Sequence, residues 1–517
     1  MNLLKIASTI CLISCFLFSC SSDKEQKNQQ PNIILICADD LGWSDLGCYG
    51  SDISTPNLDK LAENGMRFTR FHNTSKCFPS RASLLTGVYA QDCGYGDSYN
   101  DPIRNAVTIG EVLRESGYRT YFAGKHHGKD NPYNRGFDHY YGLKDGACNY
   151  FNPGDQRPGE PDPANKGFAY PREWCIDSIL YAPYTPEEKD FYTTDYFTHY
   201  ALDYIHEAHT SKQPFFLYLA YTAPHDPLMA WPEDIQKYEG RFDEGYEAIR
   251  HKRYKKQLRM GLIDSTYKLS EPSYHGWKYL SESEKEFEAD KMEVYAAMID
   301  RMDQNIGRLL KKLRDLSMMQ NTIIFFASDN GASAETVELK DDNDNAPVGS
   351  MDRWVSLGEN WANVSNTPFR YYKNYSYEGG INTPLIVHWP GQVEKNSFSD
   401  FEGHFIDFMA TFIDIADAKY PKEFNGEKIT PLKGISFLPE LKGQHVERTV
   451  PLYFEWNDGR AMLYNQYKIV KEGLNNDWEL YHIKTDPTET NDLSGEYPGK
   501  VAELDSLYDK WISAYQE

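Results

Sequence analysis

Two apolar runs in the chain end in oxygen ligands. Asn32-Ile33-Ile34-Leu35-Ile36-Cys37-Ala38 is followed by Asp39-Asp40-Leu41-Gly42, and Thr322-Ile323-Ile324-Phe325-Phe326-Ala327 by Ser328-Asp329-Asn330-Gly331. Adjacent carboxylates at the end of a buried strand are costly unless something positive sits between them. They read either as a solvated turn or as hard ligands for a divalent cation, and two such ends on adjacent strands can face one ion. Lys125-His126-His127 and Pro224-His225-Asp226-Pro227 also follow apolar runs. A histidine between two prolines is held on a stiff turn, which presents an imidazole better than it fills a core. Cys77-Phe78-Pro79-Ser80-Arg81 opens a short helix read over 80–85 and closed by Gly87. Pro79 suits the first turn. Cys77 then lies at a helix N-terminus, where free N–H groups favour an electron-rich species, and Arg81 aims a fixed charge at the same place. Taken alone, Cys77 fits a buried structural thiol equally well.

The elements that must position these groups follow from periodicity. The segments 32–38, 66–72, 118–123, 215–220, 322–327 and 385–390 read as strands, several of them continuously apolar and so buried on both faces. Between them, 56–62, 108–116, 191–208 and 404–418 read as helices. Tyr295, Ile299, Met302, Ile306, Leu309, Leu310 and Leu313 mark an amphipathic helix over 291–313. Strands alternating with helices imply an α/β fold with a large, mostly parallel mixed sheet between helices, whose ligands gather at the carboxyl ends of strands. After residue 445 the texture changes to short strands at 452–456, 460–464, 467–471 and 478–482 with hairpin-type turns, then a helix over 501–514. The expected organisation is a main domain at 31–445 and a smaller C-terminal antiparallel sheet plus helix at 446–517. The segments 152–184 and 333–366 show no period and read as irregular loops walling a cleft.

The chain has 517 residues and a net charge of −23. Nucleic acid is excluded as a partner, because phosphate contact needs basic patches. Residues 1–20 read as a signal segment: Lys5, an apolar run too short to span a bilayer, then Leu17-Phe18-Ser19-Cys20, which resembles a bacterial lipobox. Cys20 is the expected lipidation site, with 21–30 as a linker and the lipid as the only membrane contact. The expected location is the bacterial outer membrane or periplasm, with the cell surface as the alternative. The six cysteines beyond Cys20 match no zinc spacing, and their pairing is not readable.

The string Cys77-x-Pro79-Ser80-Arg81, continued by Ala82-Ser83-Leu84-Leu85-Thr86-Gly87, resembles the signature of the formylglycine-dependent sulfatases of the alkaline phosphatase superfamily. Gly124-Lys125-His126-His127 is similar to their Gly-Lys-Trp-His segment, with His126 in place of Trp, and Lys373 to Gly380 to their Lys and Glu-Gly-Gly segment. The resemblance implies that a maturating enzyme oxidises Cys77 to formylglycine. It implies Ca²⁺ on Asp39, Asp40, Asp329 and Asn330, with formylglycine beside it, and catalytic roles for Arg81, Lys125, His127, His225 and Lys373. It implies hydrolysis of sulfate esters, with sulfated glycans as the expected substrates and galactose-type sulfates of mucin-like glycans as a first choice. Three alternatives remain: an arylsulfatase on non-sugar sulfates, a phosphomonoesterase or phosphonate hydrolase, and a glycan-binding lipoprotein with a dead site. For glycan contacts the irregular segments offer Arg157, Arg172, Trp174, Arg353 and Trp354.

Overall fold

The computed structural model describes residues 30–165, 171–339 and 343–515. The signal segment with Cys20, and all of the linker but Gln30, lie outside the described residues. The main sheet contains β1 (Asn32–Asp39), β2 (Met66–His72), β3 (Arg119–Gly124), β4 (His139–Leu143), β5 (Trp174–Ile176), β6 (Ile179–Tyr181), β7 (Phe215–Pro224), β8 (Thr322–Ser328), β9 (Asn382–His388), β10 (Ser397–Ser399) and β11 (Gly403–His404). Their order is β10-β2-β9-β8-β1-β7-β3-β4-β5-β6, with β11 beside β2. β8, β1, β7, β3 and β4 run parallel, whereas β9 is antiparallel to both its neighbours and β5 and β6 fold back as a short antiparallel edge. This is the expected mixed, mostly parallel α/β sheet.

β1 shows why the sheet lies between helices. Ile34, Ile36 and Ala38 enter one apolar core and Ile33, Leu35 and Cys37 the other, as alternation in a strand requires. Helices Thr193–Ser211 and Glu282–Asp315 cover the first face through Phe197, Ile205, Met302 and Ile306. Helices Ile109–Glu115 and Asp407–Ala416 cover the second through Val112, Phe408 and Phe412. Each such fully buried side chain contributes roughly 1.5–3 kcal/mol. Helix Glu282–Asp315 starts nine residues before the expected helix at 291, because Ser281 and Glu284 form a reciprocal cap there.

Two expectations change. The segment 152–184 is not irregular throughout, since it holds β5 and β6, and 333–366 contains helix Glu359–Ser365. All six described cysteines are free thiols.

After a small hairpin, β12 (Glu423–Phe424) and β13 (Glu427–Lys428), comes an antiparallel sheet of β14 (Leu452–Trp456), β15 (Gly459–Tyr464), β16 (Tyr467–Glu472) and β17 (Glu479–His482), packed against helix Pro498–Ile512. Asn465 and Gln466 both take positive φ, the geometry of a tight hairpin turn. This sheet grips the main one. Lys468 is fully buried between Glu378 Oε1 at 2.8 Å and Glu489 Oε1 at 2.7 Å, and His72 Nε2 lies 3.2 Å from Glu378 Oε2. Trp456 packs on Phe78 at 5.1 Å between ring centroids and donates to Asn374 Oδ1. Among the described residues no helix is long and apolar enough to cross a membrane.

Candidate active site

The parallel register brings the sequence-predicted residues together. Ala38 lies opposite Ser328, so Asp39-Asp40 and Asp329-Asn330 leave β1 and β8 side by side. Asp39 pairs with Pro224 across a register shift, which puts His225 at the same end of the sheet. Gly124 pairs with Ala220, and Lys125 follows it. Gly124 has φ of +121°, and a Cβ there would lie 1.8 Å from the Ala220 carbonyl oxygen, so only glycine lets β3 turn into the site here. β2 delivers helix Cys77–Thr86, in which Cys77 is already the first residue rather than the one before it. Lys373 arrives on a loop fixed by its own N–H to the Ala332 carbonyl at 3.1 Å. That loop closes on Gly379, where a Cβ would meet the Arg370 carbonyl oxygen at 2.1 Å.

Asp39, Asp40, Cys77, Arg81, Lys125, Asp329, Asn330 and Lys373 are at most 2% exposed, and His127 and His225 are 7% and 8% exposed. Arg81 donates from Nε to Asp329 Oδ2 at 2.7 Å and from Nη1 to the Lys125 carbonyl at 2.9 Å. Lys125 pairs with Asp39 Oδ2, and Lys373 donates to Asp40 Oδ2 at 3.0 Å. Asn330 Nδ2 donates to Asp40 Oδ1 at 2.5 Å. His225 Nδ1 lies 2.8 Å from Asp226 Oδ1, which leaves Nε2 free to face the pocket, 3.5 Å from Asp40 Oδ2. Asp226 in turn accepts from Ser356 Oγ at 2.5 Å.

This cluster fits a hard cation. Asp39, Asp40 and His225 each offer a ligand atom, and these atoms lie within 4.8 Å of one another. Asp39 Oδ1 and Asn330 Oδ1 are buried without a hydrogen-bond partner, an arrangement that costs stability until a cation satisfies it. Asp329, the remaining expected ligand, also accepts from Arg81 Nε on Oδ2 and from the Asp40 N–H on Oδ1.

Burial pushes the Cys77 thiol up despite Lys125 and Lys373 nearby, so the unmodified side chain stays a protonated, weak nucleophile. Burial opposes the charge of Lys125, but Asp39, Cys77 and Asp329 together raise it. Burial, helped by Lys125 and Arg81, holds the His127 imidazole well below its ordinary value, hence neutral. For His225, burial acts downward, but Asp40 and Asp39 together raise it.

Above the cluster opens a pocket of about 540 Å³, with Cys77, His127, His225 and Lys373 in its wall. Its rim comes from Lys76, Phe78, Tyr99, Gly146, Ala147, Arg172, Asp226, Glu335, Thr336 and Val337. Of the expected glycan contacts, Arg172 alone lines it. Trp174 is a core residue of β5, stacked on Tyr184 at 4.9 Å and Phe197 at 5.5 Å. Arg157 is buried and tied to Glu160. Arg353 faces a different groove, its guanidinium 5.3 Å from the Phe287 ring and bonded to the Ala346 carbonyl. Trp354 is 4% exposed and does not line the pocket; its Nε1 donates to Asp226 Oδ2 at 3.4 Å. His126 points away into the β3 core against Phe122, and burial lowers it to about 3. Sequence reasoning missed Tyr99, which meets His127 edge-on at 4.7 Å, and Glu335, which pairs with Lys373 at 2.8 Å. Neither sits in a motif; Glu335 lies only two residues into a segment already read as a cleft wall.

A family profile described as Sulfatase matches residues 31–418. The chain belongs to the sulfatase family. Like its relatives it is a sulfuric ester hydrolase. A second profile, N-sulphoglucosamine sulphohydrolase, C-terminal, matches residues 369–510. This sulfatase is 31% identical to the arylsulfatase of Klebsiella aerogenes, over 79% of this chain and 92% of that one. It is 28% identical to the N-acetylgalactosamine-6-sulfatase of Mus musculus, over 90% of this chain and 77% of that one. Among solved structures it is similar to Ps i-CgsB in complex with k-i-k-neocarrahexaose, with 27% identity, a TM-score of 0.70 and 93% of each chain covered.

Proposed function

We propose that this sulfatase removes sulfate from carbohydrate sulfate esters, with formylglycine made from Cys77 and Ca²⁺ held by Asp39, Asp40, Asp329 and Asn330. The observation that carries this reading is the buried set of Arg81, Lys125 and Lys373 around unpartnered carboxylate and amide oxygens, at the foot of a pocket of about 540 Å³. The relatives named for N-acetylgalactosamine 6-sulfate and bound to a neocarrahexaose support a sugar, and a galactose-type sugar first.

When bound, calcium supplies charge stabilisation for the sulfate oxygens, and formylglycine supplies a hydrated aldehyde as nucleophile. The protein's own residues do the rest. Lys125 and Lys373 bind the sulfate and the charge that develops on it. Arg81, held by Asp329, keeps a fixed positive charge one turn below residue 77. His225, oriented through Nδ1 by Asp226, delivers a proton from Nε2 to the departing sugar oxygen. His127, kept neutral by burial, takes a proton at the residue 77 position. Export with a lipid on Cys20, and maturation of Cys77 by a dedicated enzyme, complete the proposal.

The test is a panel of sulfated mono- and disaccharides read by sugar release, beside the mass of the Cys77 peptide. The peptide should be about 18 Da lighter than its thiol form, and sulfated sugars should be turned over. An unmodified Cys77 in protein that is fully active on them overturns the mechanism.

A further inference from the structure

Among the described residues, the charges around the pocket mouth are matched outside the sulfate cluster. Lys76 lies one residue before the nucleophile position and lines the pocket, and its ammonium pairs with Glu335 Oε1 at 2.5 Å. The other oxygen of Glu335 pairs with Lys373 at 2.8 Å, and Asn374 Nδ2 donates to Glu335 Oε1 at 3.2 Å. The Glu335 side chain remains 36% exposed and lines the pocket although three groups hold its carboxylate. Arg172, which also lines the pocket, lies close enough to Asp145 for the two charges to interact. Asp226 is matched by His225. Lys125, and Lys373 with its contact to Asp40, belong to the sulfate cluster. Among the described residues the mouth therefore offers hydrogen-bond groups to sugar hydroxyls, but no surplus positive charge for a second anion. Burial acts to raise the Glu335 carboxyl, but Lys373 and Lys76 outweigh it and hold it far below the carboxylate range, so it stays anionic.

We propose that Glu335 restricts the substrate to glycans in which the sugar bearing the scissile sulfate carries no second anionic group. This rests on the carbohydrate sulfatase reading above and names its substrate class. A fixed carboxylate accepts hydrogen bonds from sugar hydroxyls. Beside a second sulfate or a carboxylate the same group is a like charge in a half-buried site, and discrimination by repulsion needs no contact of its own.

The experiment compares one sugar with one and with two sulfates, N-acetylgalactosamine 6-sulfate and its 4,6-disulfate, on the matured, calcium-loaded protein, with 4-nitrophenyl sulfate as control. The expected kcat/KM is at least about tenfold lower on the disulfate, mostly through KM. The gap should narrow to about threefold or less in Glu335→Gln, and also in the native protein when salt is raised from about 0.05 M to about 0.5 M. The salt series reads the effect even where the variant does not fold. Equal rates on the two sugars in the native protein overturn the inference and leave the carbohydrate reading standing. A gap that ignores both salt and a folded Glu335→Gln does the same. Turnover of 4-nitrophenyl sulfate with neither sugar touched overturns the carbohydrate reading and this inference together.

Discussion

At the floor of the pocket, six chain segments converge on one point and nearly every charge is bound to another: Arg81 to Asp329, Lys125 to Asp39, Lys373 to Asp40. At the rim, half-exposed side chains such as Tyr99, Arg172 and Glu335 come from loops and touch the floor one at a time. The floor is set by strand register, which a folded sheet cannot vary without losing its core. The rim is set by loop conformation, which can change while the sheet stays as it is. The difference teaches where to look for chemistry and where for selectivity: a change at the floor should affect every substrate alike, and a change at the rim should separate substrates.

The strongest way to break this division is at residue 77. Cys77→Ala should lower turnover of every sulfate ester by at least about 10³-fold, sugar and aryl alike, because it removes the nucleophile itself. Substantial activity on any ester would move the chemistry out of the floor. The next effect is the cation. Exhaustive chelation, or Asp40→Ala, should lower activity about 10²-fold or more on all substrates. It should also lower the melting temperature of the native protein, since an ion that binds the folded state alone stabilises it. A melting temperature unmoved by chelation, with metal shown to be gone by elemental analysis, would detach the unpartnered oxygens of Asp39 and Asn330 from metal binding.

His225 sharpens the comparison, because it is a floor residue whose effect should depend on the leaving group. A sugar alkoxide needs a proton as it departs; nitrophenolate is a far weaker base. His225→Ala should therefore cost about 10²–10⁴-fold in kcat on a sugar sulfate and roughly tenfold or less on 4-nitrophenyl sulfate. Asp226→Asn, which removes the charge of the partner of Nδ1, should show the same split at smaller size. Equal losses on both esters would mean that His225 holds the metal site, beside Asp39 and Asp40, rather than protonating the leaving oxygen.

The floor was legible in the sequence and the rim was not, for one physical reason. Asp39-Asp40 and Asp329-Asn330 end continuous apolar runs, and such runs can only be central strands, so their ends had to meet. Thr322–Ser328 could be read almost to the residue on the same ground. Trp174 shows the opposite case. It lies in a three-residue strand among Pro, Gly and charged residues, too short for any period, and only pairing with β4 and β6 buries it. Tyr99 and Glu335 belong to no run at all.

Arg353 and Trp354 give the smallest and most discriminating test. Neighbours in extended chain face opposite ways, and here Trp354 turns inward to Asp226 while Arg353 turns outward to Phe287 and the Ala346 carbonyl. The sequence offered both as glycan contacts; the structure places neither in the pocket wall. Arg172 does line it. Arg172→Ala should then lower kcat/KM on a sugar sulfate by about tenfold, worth about 1.4 kcal/mol of transition-state binding, with little loss on a small aryl sulfate. Arg353→Ala should change neither substrate by more than about twofold, since the groove it faces shares no lining residue with the pocket. A tenfold loss on the sugar from Arg353→Ala alone would mean that a longer glycan reaches beyond the pocket into that second groove, and a chain-length series of sulfated oligosaccharides would then show the Arg353 effect appearing only above a minimum length.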